Sequence, residues 1–527
     1  MKIDIIPGGV TAAEGFSAAC CAAGIKYQGR ADMAMVVSEA PCAVAGVFTS
    51  NVVKAAPVVW DRQIVQNVRA ARAVVVNAGI ANAATGETGM AMCRKTAEFT
   101  ARALDIPAEQ VLLGSTGVIG PNLPLDRITA GVSMMKQTLS DTLEAGTAAS
   151  RAIMTTDTVN KECAVAFELP AANGQGSVKI RLGGMSKGSG MIHPNMCTML
   201  AYVTTDCAID SALLQQAVSD VVTDTFNMIS VDGDTSTNDT LLVLANGAAG
   251  NAPVAAGNEA YEIFREALFT VCRTLAVIMA GDGEGATHLI EMKVINADTK
   301  AHARTLARSV VGSSLVKAMI YGKDANCGRV LCALGYAGVD FDPALIELYL
   351  VGRDDTLCFY KDGCVQDFDE DRALAILSER DIRFCCDMAM GSAEATAWGC
   401  DRQGNAYNIN GDTAAARVAG ALEAERLIML SDIPGLLRDR DDPSTLIPEL
   451  SVMEAARLRQ EGVISGGMIP KMECCVEAIR RGVKKVIIMD GRVPHSILME
   501  LLTDEGAGTM IKGASSMNIE PSGGNER

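Results

Sequence analysis

Lys187-Gly-Ser-Gly-Met-Ile-His-Pro-Asn-Met-Cys197-Thr198 holds the residues of this chain best placed to do chemistry. Thr198 follows a loop punctuated by Gly183, Gly184, Gly188, Gly190 and Pro194, and it stands at the entrance of the apolar run Met199–Val203. A chain cut before such a threonine acquires a Thr amino terminus. An α-amino group has a pKa of about 7.7–8.0, so near neutral pH it serves as general base for its own hydroxyl. No His–Asp relay is then required, which suits a chain with 4 His. The spacing alone is also met by a plain glycine turn, with Thr198 simply paired in a sheet. Three further segments carry suitable groups. Val111-Leu-Leu-Gly-Ser-Thr-Gly-Val-Ile-Gly120 reads as a strand entering a small-residue turn, where glycine lets backbone N–H groups approach an anion and Thr116 adds a hydroxyl. Acyl transfer needs donors aimed at a tetrahedral oxyanion, each worth on the order of 3 kcal/mol; an ordinary turn fits the same pattern. Met154–Lys161 reads as an exposed polar turn, and Glu284, between Gly283 and Gly285, as a solvated loop acid.

The elements that must position these groups alternate between strand and helix. Ser177–Leu182 alternates apolar and polar residues at the period of a half-buried strand, and Ala70–Asn77 reads as a buried one. Gly89–Leu104 has helical amphipathicity. Asp210 or Ser211 caps a helix that carries Leu214, Ala217, Val218, Val221 and Thr225 on one face. Ser230-Val-Asp-Gly-Asp-Thr-Ser-Thr-Asn-Asp239 resembles a calcium loop but has Thr237 at the sixth position and no closing Glu at the twelfth. A length of 527 residues argues for three or four domains. Aromatic residues at 4% and a net charge of −17 argue against nucleic acid, since phosphates would be repelled and bases find few stacking partners. No run approaches the roughly 18 apolar residues of a membrane span, and Asp4 and Glu14 argue against a signal peptide. The 17 Cys include no Cys-x-x-Cys, and His193, His288, His302 and His495 are scattered, so no metal site is expected. Buried thiols in a reducing cytosol are the expected reading.

Lys187 through Asp206 resembles the self-cleavage signature of the ornithine acetyltransferase family, the bifunctional glutamate N-acetyltransferases of arginine biosynthesis. The family usually has Ala where this chain has Cys197, and Pro where it has Asn160. The resemblance runs over about residues 5–401, through Ala45-Gly-Val-Phe-Thr-Ser-Asn51, Gly322-Lys-Asp-Ala-Asn-Cys-Gly-Arg329 and Ala393-Glu-Ala-Thr-Ala-Trp-Gly-Cys-Asp401. It implies an α/β, two-layered αββα sandwich and self-cleavage between Cys197 and Thr198. The fragments would be an alpha chain, 1–197, and a beta chain, 198–401, assembling two of each. It also implies that Thr198 takes acetyl from N2-acetylornithine and passes it to L-glutamate, with Thr116 and Gly117 as oxyanion hole. Lys187, Glu284 and one of Thr155 and Thr156 would contact substrate. Acetyl-CoA enters as a second donor through the bifunctional branch, and acetyl transfer needs no cofactor. A cytoplasmic location follows from the pathway.

Beyond residue 401 the rhythm changes. The acetyltransferases normally end with an Asn and, five residues later, a Thr or Ser that reach the active site; here Asn410 supplies the first and Ala415 replaces the second. Thr413–Leu427 reads as helix, Arg426–Leu430 and Lys485–Asp490 as strands, and Gly466-Gly-Met-Ile-Pro-Lys471 opens a helix to Arg481. That alternation argues for a parallel sheet, and a glycine pair with Lys at a helix start suits an anion. Residues 402–512 resemble the carboxy-terminal half of acetylglutamate kinase, an αβα half-domain of the amino-acid kinase type. The resemblance makes Asn408 a substrate contact, Asp412 the organising acid, Ser431 and Asp432 the adenine-side loop and Lys471 a phosphate-stabilising group. The family's other half, with its phosphate grip, is lacking. Phosphoryl transfer is mainly positioning and charge stabilisation, so ATP turnover by this half alone is not expected. Two alternatives stay open: a non-catalytic fusion whose half-kinase binds nucleotide or a partner, and an acetyltransferase that is also a kinase. Residues 513–527 read as a polar tail.

Overall fold

The computed structural model describes residues 2–193, 199–401, 411–439, 442–464, 468–503 and 506–513. The chain divides into two compact units, Met1–Ala406 and Tyr407–Arg527. In the first, nine described strands form a mixed sheet. Its order is Asp4–Ile6, Lys161–Pro170, Ser177–Lys187, Leu200–Thr205, Thr240–Ala245, Met33–Phe48, Ala70–Ile80 and Val111–Val118, with Phe16–Cys21 added alongside Met33–Phe48. Leu200–Thr205 and Thr240–Ala245 run parallel in the middle, and every residue of both is buried. Such strands read as unbroken apolar runs because both faces are covered. Ala201, Val203, Leu241 and Val243 point to the helices Ser211–Val222 and Glu259–Gly281. Leu200, Tyr202, Leu242 and Leu244 face the other way, into a core shared with helix Leu143–Ala152.

A second sheet runs Cys364–Val365, Thr356–Lys361, Glu347–Val351, Asp381–Asp387, Leu289–Ala297, Ala393–Cys400 and Ile229–Ser230. Alternate residues Ile290, Met292 and Val294 are buried, together with Leu306 and Val310 of helix Lys300–Gly312. Helix Glu259–Gly281 packs against strands of both sheets. The chain is therefore mixed α/β, as expected. The expected helix from Asp210 is Ser211–Val222, with the Asp210 carboxylate accepting from the amides of Ala212 and Leu213. Among the described residues no helix is long and apolar enough to cross a membrane.

The second unit has its own core and a sheet in the order Arg426–Ser431, Lys485–Asp490, Gly508–Lys512, Glu449–Ser451. The two strands read from the sequence do pair in parallel. The sheet as a whole is not parallel, which corrects the expectation: Gly508–Lys512 lies antiparallel to Lys485–Asp490. This strand joins through an unusually close approach, because a Cβ on Gly508 would lie 2.1 Å from the Ile488 carbonyl oxygen. A five-residue segment with one glycine and one lysine gives no strand periodicity of its own. The tail beyond residue 513 and the glycine pair Gly466-Gly467 lie outside the described residues.

Candidate active site

A cavity of about 400 Å³ opens where several strand ends of the nine-stranded sheet meet the loops that follow them, and Thr116, Gly117, Thr155, Thr156, Lys187 and Glu284 all line it. Cys197 and Thr198 lie outside the described residues, but Met199 and Leu200, immediately after them, are in the cavity wall.

Thr116 and Gly117 end the strand Val111–Val118, which runs parallel to Ala70–Ile80 with Ala78 opposite Thr116 and Gly79 opposite Gly117. Gly117 has φ +128°, and a Cβ there would sit 2.2 Å from the Gly79 carbonyl carbon. Only glycine fits this backbone approach. The strand end is pinned from two sides. Asn238, buried, donates through Nδ2 to the carbonyls of Ala81 (2.6 Å) and Ser115 (2.8 Å). The Ser115 hydroxyl donates to Asn77 Oδ1 at 2.6 Å.

Lys187 closes the strand Ser177–Lys187, and its Nζ donates to Thr116 Oγ1 (3.2 Å) and Thr155 Oγ1 (2.9 Å). Asp157 Oδ2 lies 4.0 Å from the same ammonium. Burial pushes the Lys187 pKa below the ordinary lysine value, with Lys161 adding to the shift and Asp157 and Glu284 opposing it. Asp157 accepts from the Gly188 amide (2.7 Å) and from Lys161 Nζ (2.7 Å), and Lys161 also reaches Asp282 at 2.6 Å. Burial opposes ionisation of Asp157, but the charges of Lys187 and Lys161 and these hydrogen bonds outweigh it, so its carboxyl titrates below the usual range. The Asp157 and Lys161 side chains are wholly buried, beneath a segment that is otherwise the exposed turn expected, with Thr156, Thr158 and Val159 exposed. Buried charges survive only when paired and hydrogen-bonded.

Thr156 and Ser189 share a hydroxyl–hydroxyl hydrogen bond of 2.6 Å, so both threonines of the pair belong to the wall and neither is singled out. Glu284 is exposed, as its loop suggests, yet its amide donates to the Ser189 carbonyl at 2.8 Å. Gly190 makes room for its carboxylate: a Cβ there would lie 2.6 Å from Glu284 Oε1. The loop Ser230–Asp239 grips the chain on the amino-terminal side of the expected cut. Asp232 accepts from the amides of Met191 and Ile192, the latter at 2.8 Å, and Val231 N donates to the Ile192 carbonyl at 2.6 Å. Thr235 Oγ1 donates to the His193 carbonyl at 2.9 Å. On the carboxyl side Thr240, the first residue of the strand that follows the loop, donates through N to the Met199 carbonyl at 2.8 Å. Sequence reasoning singled out this loop without a role and missed Asp157, Lys161, Asp282 and Asn238. The i, i+4 spacing of Asp157 and Lys161 was the one available signal.

In the second unit Lys471 Nζ donates to Asp412 at 2.8 Å, and Ser431 Oγ to Asp432 Oδ1 at 3.3 Å. Ser431 and Asp490 are register partners at the carboxyl ends of two parallel strands, where open α/β sheets bind ligands. Asn408 and Asn410 lie outside the described residues.

A profile of the ArgJ family matches residues 17–414 of this chain. The chain belongs to the ArgJ family. The match takes in every acetyltransferase-like candidate together with Asn408, Asn410 and Asp412, and it stops before Ser431, Asp432 and Lys471. The arginine biosynthesis bifunctional protein ArgJ of Symbiobacterium thermophilum is 48% identical over 408 residues, covering 77% of this chain and 98% of that protein. The protein of the same name from Thermotoga neapolitana is 45% identical over 398 residues, covering 75% and 98%. Among solved structures, ornithine acetyltransferase from Mycobacterium tuberculosis complexed with ornithine is 41% identical, covering 38% of this chain and 100% of that one, with a TM-score of 0.33.

Proposed function

We propose that this ArgJ-family chain is the acetyltransferase of arginine biosynthesis, moving acetyl from N2-acetylornithine to L-glutamate through an acetyl-threonine at Thr198. Thr198 Oγ first adds to the Cys197 carbonyl, the acyl group shifts from N to O as the C–N bond breaks and frees the Thr198 amine, and water hydrolyses the resulting ester, leaving a Cys197 carboxylate and a free Thr198 hydroxyl. That amine then takes the proton from its own hydroxyl as Oγ attacks the acetyl carbonyl. Thr116 O–H and Gly117 N–H donate to the oxyanion. Ornithine departs with the proton, and the glutamate amine attacks the acetyl ester in the second half of the cycle. Lys187 meets a substrate carboxylate, while Glu284 and one of Thr155 and Thr156 contact the rest of the substrate. Acetyl-CoA is the second acetyl donor in this reading, the site is cytoplasmic, and the two fragments assemble two of each in the αββα sandwich.

What supports the reading is that residues far apart in the chain converge on one cavity whose wall continues into Met199, the residue after the nucleophile. Intact mass spectrometry tests it: two fragments divided after Cys197 are expected, and Thr198→Ala should leave one chain without acetyl exchange between acetylornithine and glutamate. One uncut wild-type chain exchanging acetyl at full rate would refute it.

The second unit is read as half of an acetylglutamate kinase-like fold, supported by the Lys471–Asp412 pair and the Ser431–Asp432 turn at the strand ends. It is expected to have no kinase activity of its own. ATP-dependent acyl-hydroxamate formation by the purified protein would overturn this.

A further inference from the structure

An ammonium donates and cannot accept, whereas a hydroxyl has one hydrogen and two lone pairs. Lys187 Nζ donates to Thr116 Oγ1 at 3.2 Å. One lone pair of the Thr116 hydroxyl is therefore taken by a group that cannot accept, and its own hydrogen is left to point elsewhere, with the cavity on its open flank. A cation on the oxygen also polarises the O–H and strengthens it as a donor. The ammonium is held in place by a scaffold that itself cannot move freely. Thr155 Oγ1 receives a second Lys187 hydrogen at 2.9 Å, and the Asp157 carboxylate stands 4.0 Å away. Asp157 is fixed in turn by the Gly188 amide and by Lys161, which Asp282 holds from the far side. The Lys161 and Asp157 side chains have no solvent exposure, so their ion pair is not screened by direct contact with water.

We propose, resting on the acetyl-transfer reading, that Lys187 works on the oxyanion through Thr116: the buried Asp157–Lys161–Asp282 network sets the Lys187 ammonium against Thr116 Oγ1, turning that hydroxyl into an oriented and polarised donor. When Thr198 Oγ bonds to the acetyl carbon, the carbonyl π pair moves onto oxygen, and the Thr116 hydrogen meets that charge. On collapse the pair returns, the C–N bond breaks, and ornithine leaves with the proton from the Thr198 ammonium. Lys187 is thus a positioning residue for Thr116 as well as a carboxylate contact, and Asp157 positions Lys187.

A double-mutant cycle separates this from simple substrate binding. Lys187→Met, Thr116→Val and the pair are compared with N2-acetylornithine and with its α-carboxamide, which offers Lys187 no carboxylate. With the carboxamide donor, Lys187→Met should still lower kcat about tenfold or more with KM little changed. The double variant should be no worse than Thr116→Val by more than about threefold. Asp157→Asn should reproduce the kcat loss and Asp157→Glu recover part of it. The proposal is overturned if Lys187→Met acts only on KM for the carboxylate donor, or if the two losses multiply. Should a variant emerge uncut, the same cycle is read on the splitting rate, where the attacked Cys197 carbonyl also becomes an oxyanion; losses that multiply there overturn it too. A wild-type enzyme with no acetyl exchange would instead refute the functional reading itself.

Discussion

Asp61 and Lys187 carry opposite lessons about charge beneath this site. Asp61 sits in helix Ala56–Gln63, fully buried, and accepts from the Leu113 amide at 2.8 Å, three residues before Thr116. Its second oxygen has no hydrogen-bond partner, and burial raises its pKa well above the ordinary carboxyl value. Between the unfolded value of about 3.9 and the raised one, the folded chain keeps a proton that the unfolded chain has lost. Stability attributable to Asp61 therefore falls as pH rises through that window. Asp61→Asn has no proton to lose, so its stability relative to the parent should climb with pH; urea midpoints at several values from pH 4 upward check this, and a constant difference would contradict it. Lys187 titrates on the activity side. Its pKa is pushed down by burial, so the basic limb of the acetyl-transfer profile should fall at a lower pH than an ordinary lysine would give, and Lys187→Arg should move that limb upward.

At the scale of elements, the loop Ser230–Asp239 is tied through Asn238 to the strand Val111–Val118 that carries Thr116 and Gly117. Asn238 reaches across to the carbonyls of Ser115, in Val111–Val118, and of Ala81, just past Ala70–Ile80. Asn238→Ala removes a donor from both carbonyls and should cost about 1–3 kcal/mol in chemical denaturation, with acetyl transfer slowed beyond what the stability loss explains. A variant of unchanged midpoint and rate would argue that the strand end needs no staple. Elements of this kind were only half legible in the sequence. Thr240–Ala245, buried on both faces, was not singled out, whereas the apolar run Met199–Val203 announces the buried strand Leu200–Thr205, and Gly117 announces a tight place. The tenants of the charged layer do not. Asp157, Thr158 and Lys161 look like a solvated turn because Asp282, the second acid on Lys161, lies 121 residues on, and local composition carries no sign of it. Gly508–Lys512 was illegible for a related reason, since its pairing is licensed by a missing Cβ against Ile488 and not by periodicity.

At the scale of the whole molecule, a cut before Thr198 would not divide the protein into two bodies. The piece before it supplies Lys161–Pro170, Ser177–Lys187, Met33–Phe48, Ala70–Ile80 and Val111–Val118, and the piece after it supplies Leu200–Thr205 and Thr240–Ala245, inserted between them. Lys187 pairs with Leu200, and Phe48 with Thr240, so each inserted strand is bonded to a strand of the other piece. Both inserted strands are buried on two faces. Separating the pieces would unpair the middle of the sheet and open apolar area at about 25 cal/mol per Å² on both sides. The cavity has the same dependence: Thr116, Gly117 and Lys187 come from the first piece, Asn238 and Glu284 from the second. Split protein should therefore elute as one species in native size-exclusion chromatography, keep its acetyl exchange, and resolve into two chains only in denaturant. Fragments that part under native conditions would mean that the central strands are not paired as described, and the shared cavity would fall with them.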